Sequence, residues 1–127
     1  MRTITPIFLC ALAACTSTVK GPGDTSLTLM RPADQSMRRG ETNEVSIMIQ
    51  RENFTKAVPV SFSGLPGGVK IIEKDREIPS GDAMRTFNLY ADNDAKLVSN
   101  HEVLVTVEGP GGTKVTEIFR LSVKAKP

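Results

Sequence analysis

The sequence predicts an all-β domain, an antiparallel sandwich of two sheets with about seven strands. Three observations lead to this prediction. Hydrophobic and polar residues alternate with a period of two along most of the chain after Ser26. Clusters of Gly and Pro separate the alternating runs, and no stretch has the 3.6-residue period of an amphipathic helix. With 127 residues, 39% hydrophobic and 24% charged, the chain has the composition of one globular domain.

The alternating runs locate the strands. Five runs are clear, and each places branched or aromatic side chains on one face: residues 45–50, 58–63, 87–91, 103–107 and 119–123. Residues 27–30 and 69–73 are shorter candidates. Turn-forming segments lie between the runs at residues 64–68 (Gly-Leu-Pro-Gly-Gly), 79–82 (Pro-Ser-Gly-Asp) and 109–112 (Gly-Pro-Gly-Gly).

Short strands at this spacing, without intervening helices, are typical of immunoglobulin-like and fibronectin type III-like sandwiches. The chain has no Trp, and it lacks the Cys pair of a true immunoglobulin core, which favours the fibronectin-like version. A small barrel is the structural alternative.

Part of the chain resembles a repeat unit of bacterial surface and secreted proteins. Residues 49–54 (Ile-Gln-Arg-Glu-Asn-Phe) precede residues 58–69 (Val-Pro-Val-Ser-Phe-Ser-Gly-Leu-Pro-Gly-Gly-Val). Those repeats have Arg-x-x-Phe, a Pro-Val strand and Gly-Leu-Pro-x-Gly-Val in this order, and later an Ile-Pro-x-Gly, matched here by residues 78–81. The resemblance spans most of residues 45–124. It implies an immunoglobulin-like spacer or interaction module, and no functional residue comes with it.

The beginning of the chain has the pattern of an export signal. Arg2 supplies a positive charge, and residues 7–14 form an apolar run that ends in small residues. This run is much shorter than the roughly 20 residues of a membrane-spanning helix. Residues 12–15 (Leu-Ala-Ala-Cys) resemble the lipobox of bacterial lipoproteins. The resemblance implies cleavage before Cys15, a diacylglyceryl thioether on its sulfur, and acylation of its amine.

Two alternatives to a lipidated Cys15 exist. An ordinary export peptidase would recognise Ala11 and Ala13, and Cys10 is a second cysteine, although bulky Phe8 and Leu9 precede it. We therefore divide the chain into a lipoprotein signal peptide at residues 1–14, the lipidated Cys15 with a flexible tether at 15–25, and the sandwich domain at 26–127.

The predicted anchor determines where the protein should act. Residues 16–25 are small and polar and contain Gly-Pro-Gly, so a tether with a reach of about 16–19 Å is expected. In Gram-negative lipoproteins Asp after the cysteine favours retention at the inner membrane. Thr16 therefore implies the outer membrane, with the domain facing the periplasm. After cleavage Cys15 is the only thiol, so the domain folds without an internal disulfide.

The charge balance indicates no nucleic-acid partner. Sixteen Lys and Arg face 14 Asp and Glu, a formal charge of +2, and the two signs are mixed along the chain. Four basic residues near the start could favour anionic lipid beside the anchor, or they could line a solvated strand edge: Lys20, Arg31, Arg38 and Arg39.

The sequence predicts no catalytic, cofactor-binding or metal-binding residue. His101 is the only histidine and cannot form a zinc site alone. Residues 92–94 (Asp-Asn-Asp) begin like a calcium loop, with Asp75 or Asp82 as further ligands, but the Gly at the sixth position and the terminal Glu of an EF-hand loop are missing. Asx residues in a turn explain the segment better. Residues 53–55 (Asn-Phe-Thr) match the glycosylation sequon, which a bacterial lipoprotein is expected to leave unmodified, and Phe54 is expected to plug one end of the sandwich.

Three functions are compatible with this pattern. The first is a lipid-anchored binding or structural module of the cell envelope that recruits a protein partner by β-strand addition. The second is a periplasmic copper carrier, since soft thioethers suit Cu(I), with ligands drawn from Met30, Met37, Met48, Met84 and His101. The third is a small envelope enzyme, for which a single His and no nucleophile motif give little support. We expect the first, a non-enzymatic module.

Overall fold

The structure is a computed structural model that describes residues 16–127. The predicted signal peptide, Cys10 and Cys15 lie outside the described residues. Residues 16–127 form ten strands and two single-turn 3-10 helices, at Pro22–Asp24 and Pro110–Gly112. The strands are β1 (Thr16–Lys20), β2 (Ser26–Met30), β3 (Gln35–Arg38), β4 (Thr42–Glu52), β5 (Val58–Ser63), β6 (Val69–Ile71), β7 (Glu77–Ile78), β8 (Met84–Ala91), β9 (Val98–Glu108) and β10 (Lys114–Lys124).

The strands form two sheets of five. The first sheet has the order β1-β2-β4-β8-β6, and the second has the order β3-β10-β9-β5-β7. The chain leaves the first sheet after β2 and joins the second at β3, with Pro32 in the crossover. This arrangement is an immunoglobulin-like β-sandwich, which confirms the predicted fold class. One pair departs from the predicted antiparallel pattern, because β3 runs parallel to β10.

The core consists of the alternating apolar residues that the sequence singled out. In β4, the side chains of Val45, Ile47 and Ile49 point inward and are buried, while Ser46, Met48 and Gln50 between and after them face solvent. The rings of Phe62 and Phe87 meet edge to face across the two sheets, with centroids 5.3 Å apart. Each such buried side chain contributes about 1.5–3 kcal/mol to folding.

The predicted tether at residues 16–25 is wrong. Residues 16–20 form β1, which pairs with β2 in register from Thr16 opposite Met30 to Lys20 opposite Ser26. The intervening Gly-Pro-Gly is a hairpin turn, closed by a 2.9 Å hydrogen bond from the Gly21 amide to the Thr25 carbonyl. Val19 packs against the core. The sandwich therefore already includes Thr16, ten residues before the predicted boundary at Ser26.

The same turn occurs a second time, between β9 and β10. There the Gly109 amide donates to the Thr113 carbonyl at 2.7 Å, and the Thr113 hydroxyl donates to the Pro110 carbonyl, as Thr25 does to Pro22. The two Gly-Pro-Gly-x-Thr turns lie side by side, since a Cβ on Gly111 would be 3.0 Å from Pro22. A repeated turn motif was thus the sequence signal for the β1–β2 hairpin.

The other two strands that the sequence analysis did not predict are β3 and β7. β7 has only two residues, and β3 has one inward apolar side chain, Met37, among polar residues. Neither segment is long enough to display a period of two, so pairing with a neighbouring strand is what defines them.

Candidate functional site

The one residue with a predicted chemical role, Cys15, lies outside the described residues. The structure nevertheless fixes its neighbour, because Thr16 is the first residue of β1. Thr16 is exposed and lies opposite Met30 in the hairpin, at the outer edge of the first sheet. The surface around Thr16 is therefore the surface that a modified Cys15 would adjoin.

Three methionines continue from Thr16 across the outer face of the first sheet. Leu29 of β2 pairs with Ile49 of β4, which brings Met30 beside Met48, and both line the same shallow surface hollow. Met48 pairs in turn with Met84 of β8. The side chains of Met48 and Met84 are 47% and 49% exposed, and Met30 is half-buried. We call Met30, Met48 and Met84 the methionine row.

The rows on both sides of the methionine row carry no charge. On one side lie Thr18, Thr28 and Gln50, on the other Ser46 and Thr86. Hydroxyl pairs join neighbouring strands, at 2.7 Å between Thr18 and Thr28 and at 3.0 Å between Ser46 and Thr86. Charged side chains surround these rows. They are Lys20, Glu44, Glu52 and Lys70, with Arg31 at the hollow of Met30 and Met48, Asp82 beside Gln50, and Glu73 bonded to Asn88.

The structure does not bring together the full set of residues considered for copper. Met37 faces the core and is 2% exposed, so its thioether cannot meet the row on the outer face. His101 lies in β9 of the second sheet, where its Nε2 is 2.7 Å from the Gly64 carbonyl oxygen. Only Met30, Met48 and Met84 are neighbours.

The arginines near the start of the chain serve the fold. Arg31 donates from Nε to the Ile118 carbonyl at 3.1 Å, Arg38 to the Ala125 carbonyl at 3.0 Å, and Arg39 to the Ala95 carbonyl at 2.8 Å. These guanidinium groups satisfy backbone acceptors that no neighbouring strand reaches. Lys20, on the outer side of β1, and Arg38 are the exposed members of the four predicted basic residues.

Residues 92–94 form a turn. The Ala95 amide donates to the Asp92 carbonyl at 3.1 Å, and the Asp92 amide donates to the Gly68 carbonyl at 2.8 Å. Among residues 16–127, no group of three or more His, Cys, Asp or Glu side chains is placed to hold a metal ion. In the same part of the chain no helix is long and apolar enough to span a membrane.

The Arg-x-x-Phe segment of the family resemblance holds the loops at one end of the sandwich. The Arg51 guanidinium donates to the carbonyl oxygens of Lys56, Pro79 and Asp82, and it lies 5.4 Å from the centroid of the Phe54 ring. Partial burial lowers the pKa of Arg51, and the charge of Asp82 offsets part of this effect. Arg51 therefore ties three loop carbonyls to β4.

The predicted sequon lies beside this group. Asn53 has a positive φ of 64° and donates from Nδ2 to the Asp24 carbonyl at 2.7 Å. The side-chain amide that a sugar would modify is thus engaged with the β1–β2 turn.

Side chains cap several of the sheet edges. On β10, the Ile118 carbonyl accepts from Arg31, and the Arg120 amide donates to the Asp34 carboxylate at 2.8 Å. Asn88 of β8 donates from its backbone amide and from Nδ2 to the Glu73 carboxylate, at 2.9 and 2.6 Å. These donors lower the pKa of Glu73, outweighing the opposite effect of burial.

Within residues 16–127 the edge strands are β1 and β6 in the first sheet and β3 and β7 in the second, and the short β7 leaves part of β5 without a neighbour. β7 pairs with β5 only at Val58 and Pro59, and the Val60 amide donates to the Arg76 carbonyl at 2.9 Å. From Ser61 to Ser63, β5 has β9 on one side and no strand on the other. An added strand could pair with β5 along this stretch.

The sequence analysis missed two features of this surface. It placed Met48 on an outward face but could not join it to Met30 and Met84, because their alignment depends on the pairing of three strands. It also counted the arginines as surface charge, whereas three of them bond to backbone carbonyls that lie far away in sequence.

Comparison with known proteins bears only on the fold. No family model matches the sequence, and no curated protein matches it. Among solved structures, the chain is similar to the titin M3 domain, with 14% identity and a TM-score of 0.47 over 77% of this chain and 96% of that one. It is also similar to a chimeric titin Z1Z2, with 18% identity and a TM-score of 0.47 over 91% and 100% of the two chains. A third similar structure is a complex of titin M10 with obscurin-like 1, with 11% identity and a TM-score of 0.44 over 91% of this chain and 99% of that one. These likenesses concern the shape of the fold and carry no information on what this chain does.

Proposed function

We propose that this chain is a lipid-anchored protein of the bacterial cell envelope whose immunoglobulin-like sandwich acts as a non-catalytic binding or structural module. The observation that supports it is the lipobox-like sequence Leu-Ala-Ala-Cys at residues 12–15, which follows the apolar run of residues 7–14 and precedes the residues of the sandwich. The lipobox resemblance gives Cys15 at least two acyl chains, on its sulfur. Two or more chains hold a protein on a membrane stably, whereas one chain binds only marginally.

Labelling with radioactive palmitate in a bacterial host tests the anchor. The wild-type chain should incorporate the label and fractionate with membranes. The variant Cys15→Ser should lose the label and become soluble, with the β-sheet signal in circular dichroism unchanged. The matched control is Cys10→Ser, which should stay labelled and membrane-bound. Absence of label from the wild-type chain, or its retention in Cys15→Ser, would contradict the proposal.

The proposed location is the outer membrane, and Thr16 allows a test. Its side chain is exposed, so Thr16→Asp should leave the sandwich folded. If the residue after Cys15 directs sorting, this variant should move from the outer-membrane to the inner-membrane fraction. Thr18→Asp, on the same face of β1, serves as the control and should not move. Equal distribution of both variants and the wild type would leave Thr16 without a role in sorting.

A partner strand would meet the second sheet at the uncovered edge of β5. A photocrosslinking residue at Ser61 should capture an envelope protein if the module works by strand addition. The same residue at Ser122, on β10 of the same sheet, provides the comparison. Cross-links of equal yield at both positions, or none at Ser61, would exclude this mode of binding.

Copper binding is a second candidate function, favoured by the methionine row. Side chains on adjacent strands have Cβ atoms about 5 Å apart, so three flexible thioethers could converge on one Cu(I) ion. Competition with a colorimetric Cu(I) chelator should show uptake by the wild-type domain and its loss when Met48 and Met84 are both changed to Leu. No uptake by the wild-type domain would remove this candidate.

A further inference from the structure

We infer that the outer face of the first sheet, centred on the methionine row, lies on the surface of the membrane that holds Cys15, and that the face fits an uncharged, zwitterionic phospholipid surface. This inference rests on the proposed lipidation of Cys15. It specifies which face of the anchored domain is turned to the membrane, and it identifies phospholipid as what covers the methionine row.

No linker residue separates the proposed anchor at Cys15 from the domain. Cys15 is joined directly to Thr16, and Thr16 is already paired with Met30 in β1. Consecutive Cα atoms are 3.8 Å apart, so acyl chains on Cys15 would keep Thr16 within a few ångströms of the lipid headgroups. The domain could pivot about this point but could not move away from the bilayer.

The methionine row extends from Thr16 across the outer face of the first sheet. Neighbouring strands are about 4.8 Å apart, and Met84 lies three strands from Thr16, at about 14 Å. The row therefore starts at the anchor and crosses most of the sheet. A domain pivoting about Thr16 brings the whole row to the surface in a single tilt.

The outer faces of the two sheets differ in charge. The methionine row and the polar rows beside it carry no charge, and thioether side chains are apolar and adaptable. The outer face of the second sheet instead carries charged cross-strand pairs, Arg120 with Glu102 and Lys114 with Glu108. Charges are expensive to bring toward an apolar phase, so the first sheet is the face that contact with lipid favours.

The rim of the first sheet indicates which lipid surface fits. Side chains of both signs surround the uncharged rows: acidic Glu44, Glu52, Glu73 and Asp82, and basic Lys20, Arg31 and Lys70. The acidic side chains outnumber the basic ones by four to three, so the face offers no net attraction to anionic lipid. Contact should then depend on the apolar side chains and change little with salt concentration.

Methionine oxidation tests this orientation. The lipidated chain is reconstituted in phosphatidylcholine vesicles, and dilute hydrogen peroxide is applied while sulfoxide formation at each Met is followed by mass spectrometry. Met48 and Met84 should oxidise several-fold more slowly on vesicles than in the soluble Cys15→Ser variant. Both proteins carry Leu104→Met as an internal reference, since Leu104 is 40% exposed on the outer face of the second sheet. Oxidation at position 104 should be equally fast in both.

A linker variant gives the second arm. Ten Gly and Ser residues inserted between Cys15 and Thr16 should restore oxidation of Met48 and Met84 toward the soluble rate, while flotation with vesicles persists. Equal oxidation of Met48 and Met84 in the lipidated and soluble proteins, or equal protection at position 104, overturns the inference and leaves the anchor standing. Failure of the wild-type chain to float with vesicles overturns both.

Discussion

Gly68 is the position where a single added methyl group should cost most. Its φ of +83° is left-handed, and a Cβ built there would lie 2.7 Å from the Ala95 Cα and 3.1 Å from the Ala95 Cβ. Ala95 is fully buried and is held in place by neighbouring hydrogen bonds, from the Asp92 amide to the Gly68 carbonyl and from the Lys96 amide to the Gly67 carbonyl. The substitution Gly68→Ala therefore meets both backbone strain and a clash with fixed backbone.

Two other glycines allow the backbone strain and the clash to be measured separately. Gly81 has a φ of +82° with nothing within 4 Å of its added Cβ, so Gly81→Ala should cost only the left-handed strain, about 1–2 kcal/mol. Gly67 has open space and no positive φ, so Gly67→Ala should be nearly neutral. The clash at Gly68 adds about 1–3 kcal/mol, as overpacked sites do. Gly68→Ala should thus lose roughly 2–5 kcal/mol in all.

Urea unfolding of the three variants in the soluble Cys15→Ser background measures these differences. The chain has no Trp and one Tyr, so circular dichroism of the sheets is the suitable signal. The expected order of stability is Gly67→Ala above Gly81→Ala above Gly68→Ala, with equal urea slopes. If Gly68→Ala were no less stable than Gly81→Ala, the close approach of Gly68 to Ala95 would carry no energetic weight and the reasoning would be refuted.

Three further substitutions test other parts of the sandwich. Arg51→Lys keeps the charge but loses the fork that reaches three loop carbonyls, so the urea midpoint should fall by the equivalent of about 1–3 kcal/mol, and an unchanged midpoint would contradict this role. Phe87→Ala removes a fully buried ring that packs against Phe62 and should cost about 3–5 kcal/mol in thermal unfolding; a loss below 1 kcal/mol would be inconsistent with the burial. The pKa of Glu73 is lowered in the folded state by the donors of Asn88, so its stabilisation is present at neutral pH and is lost as pH falls through this lowered pKa. Glu73→Gln should therefore lose less stability than the wild type between neutral pH and that pKa, and parallel pH profiles would count against it.

The core could be predicted from the sequence because a strand with one buried face alternates at a period of two. Every long run read in this way proved to be a strand, and the inward residues of β4 and β9 are those that the alternation selected. The predicted tether failed for the complementary reason. β1 has one inward apolar side chain, Val19, and its hairpin turn has the composition of a linker, so only pairing with β2 marks it as a strand.

The anchor and the methionine row also differ in how far the sequence alone predicts them. The sequence by itself determined the lipobox-like residues 12–15, the absence of any second thiol after Cys15, and the apolar side chains that fill the sandwich, since each of these depends on residues close together in the chain. Only the tertiary structure decided that Thr16, Met30, Met48 and Met84 form one row. The register between strands is set by contacts between residues far apart in sequence, and shifting one strand by a single residue would turn its side chains to the opposite face.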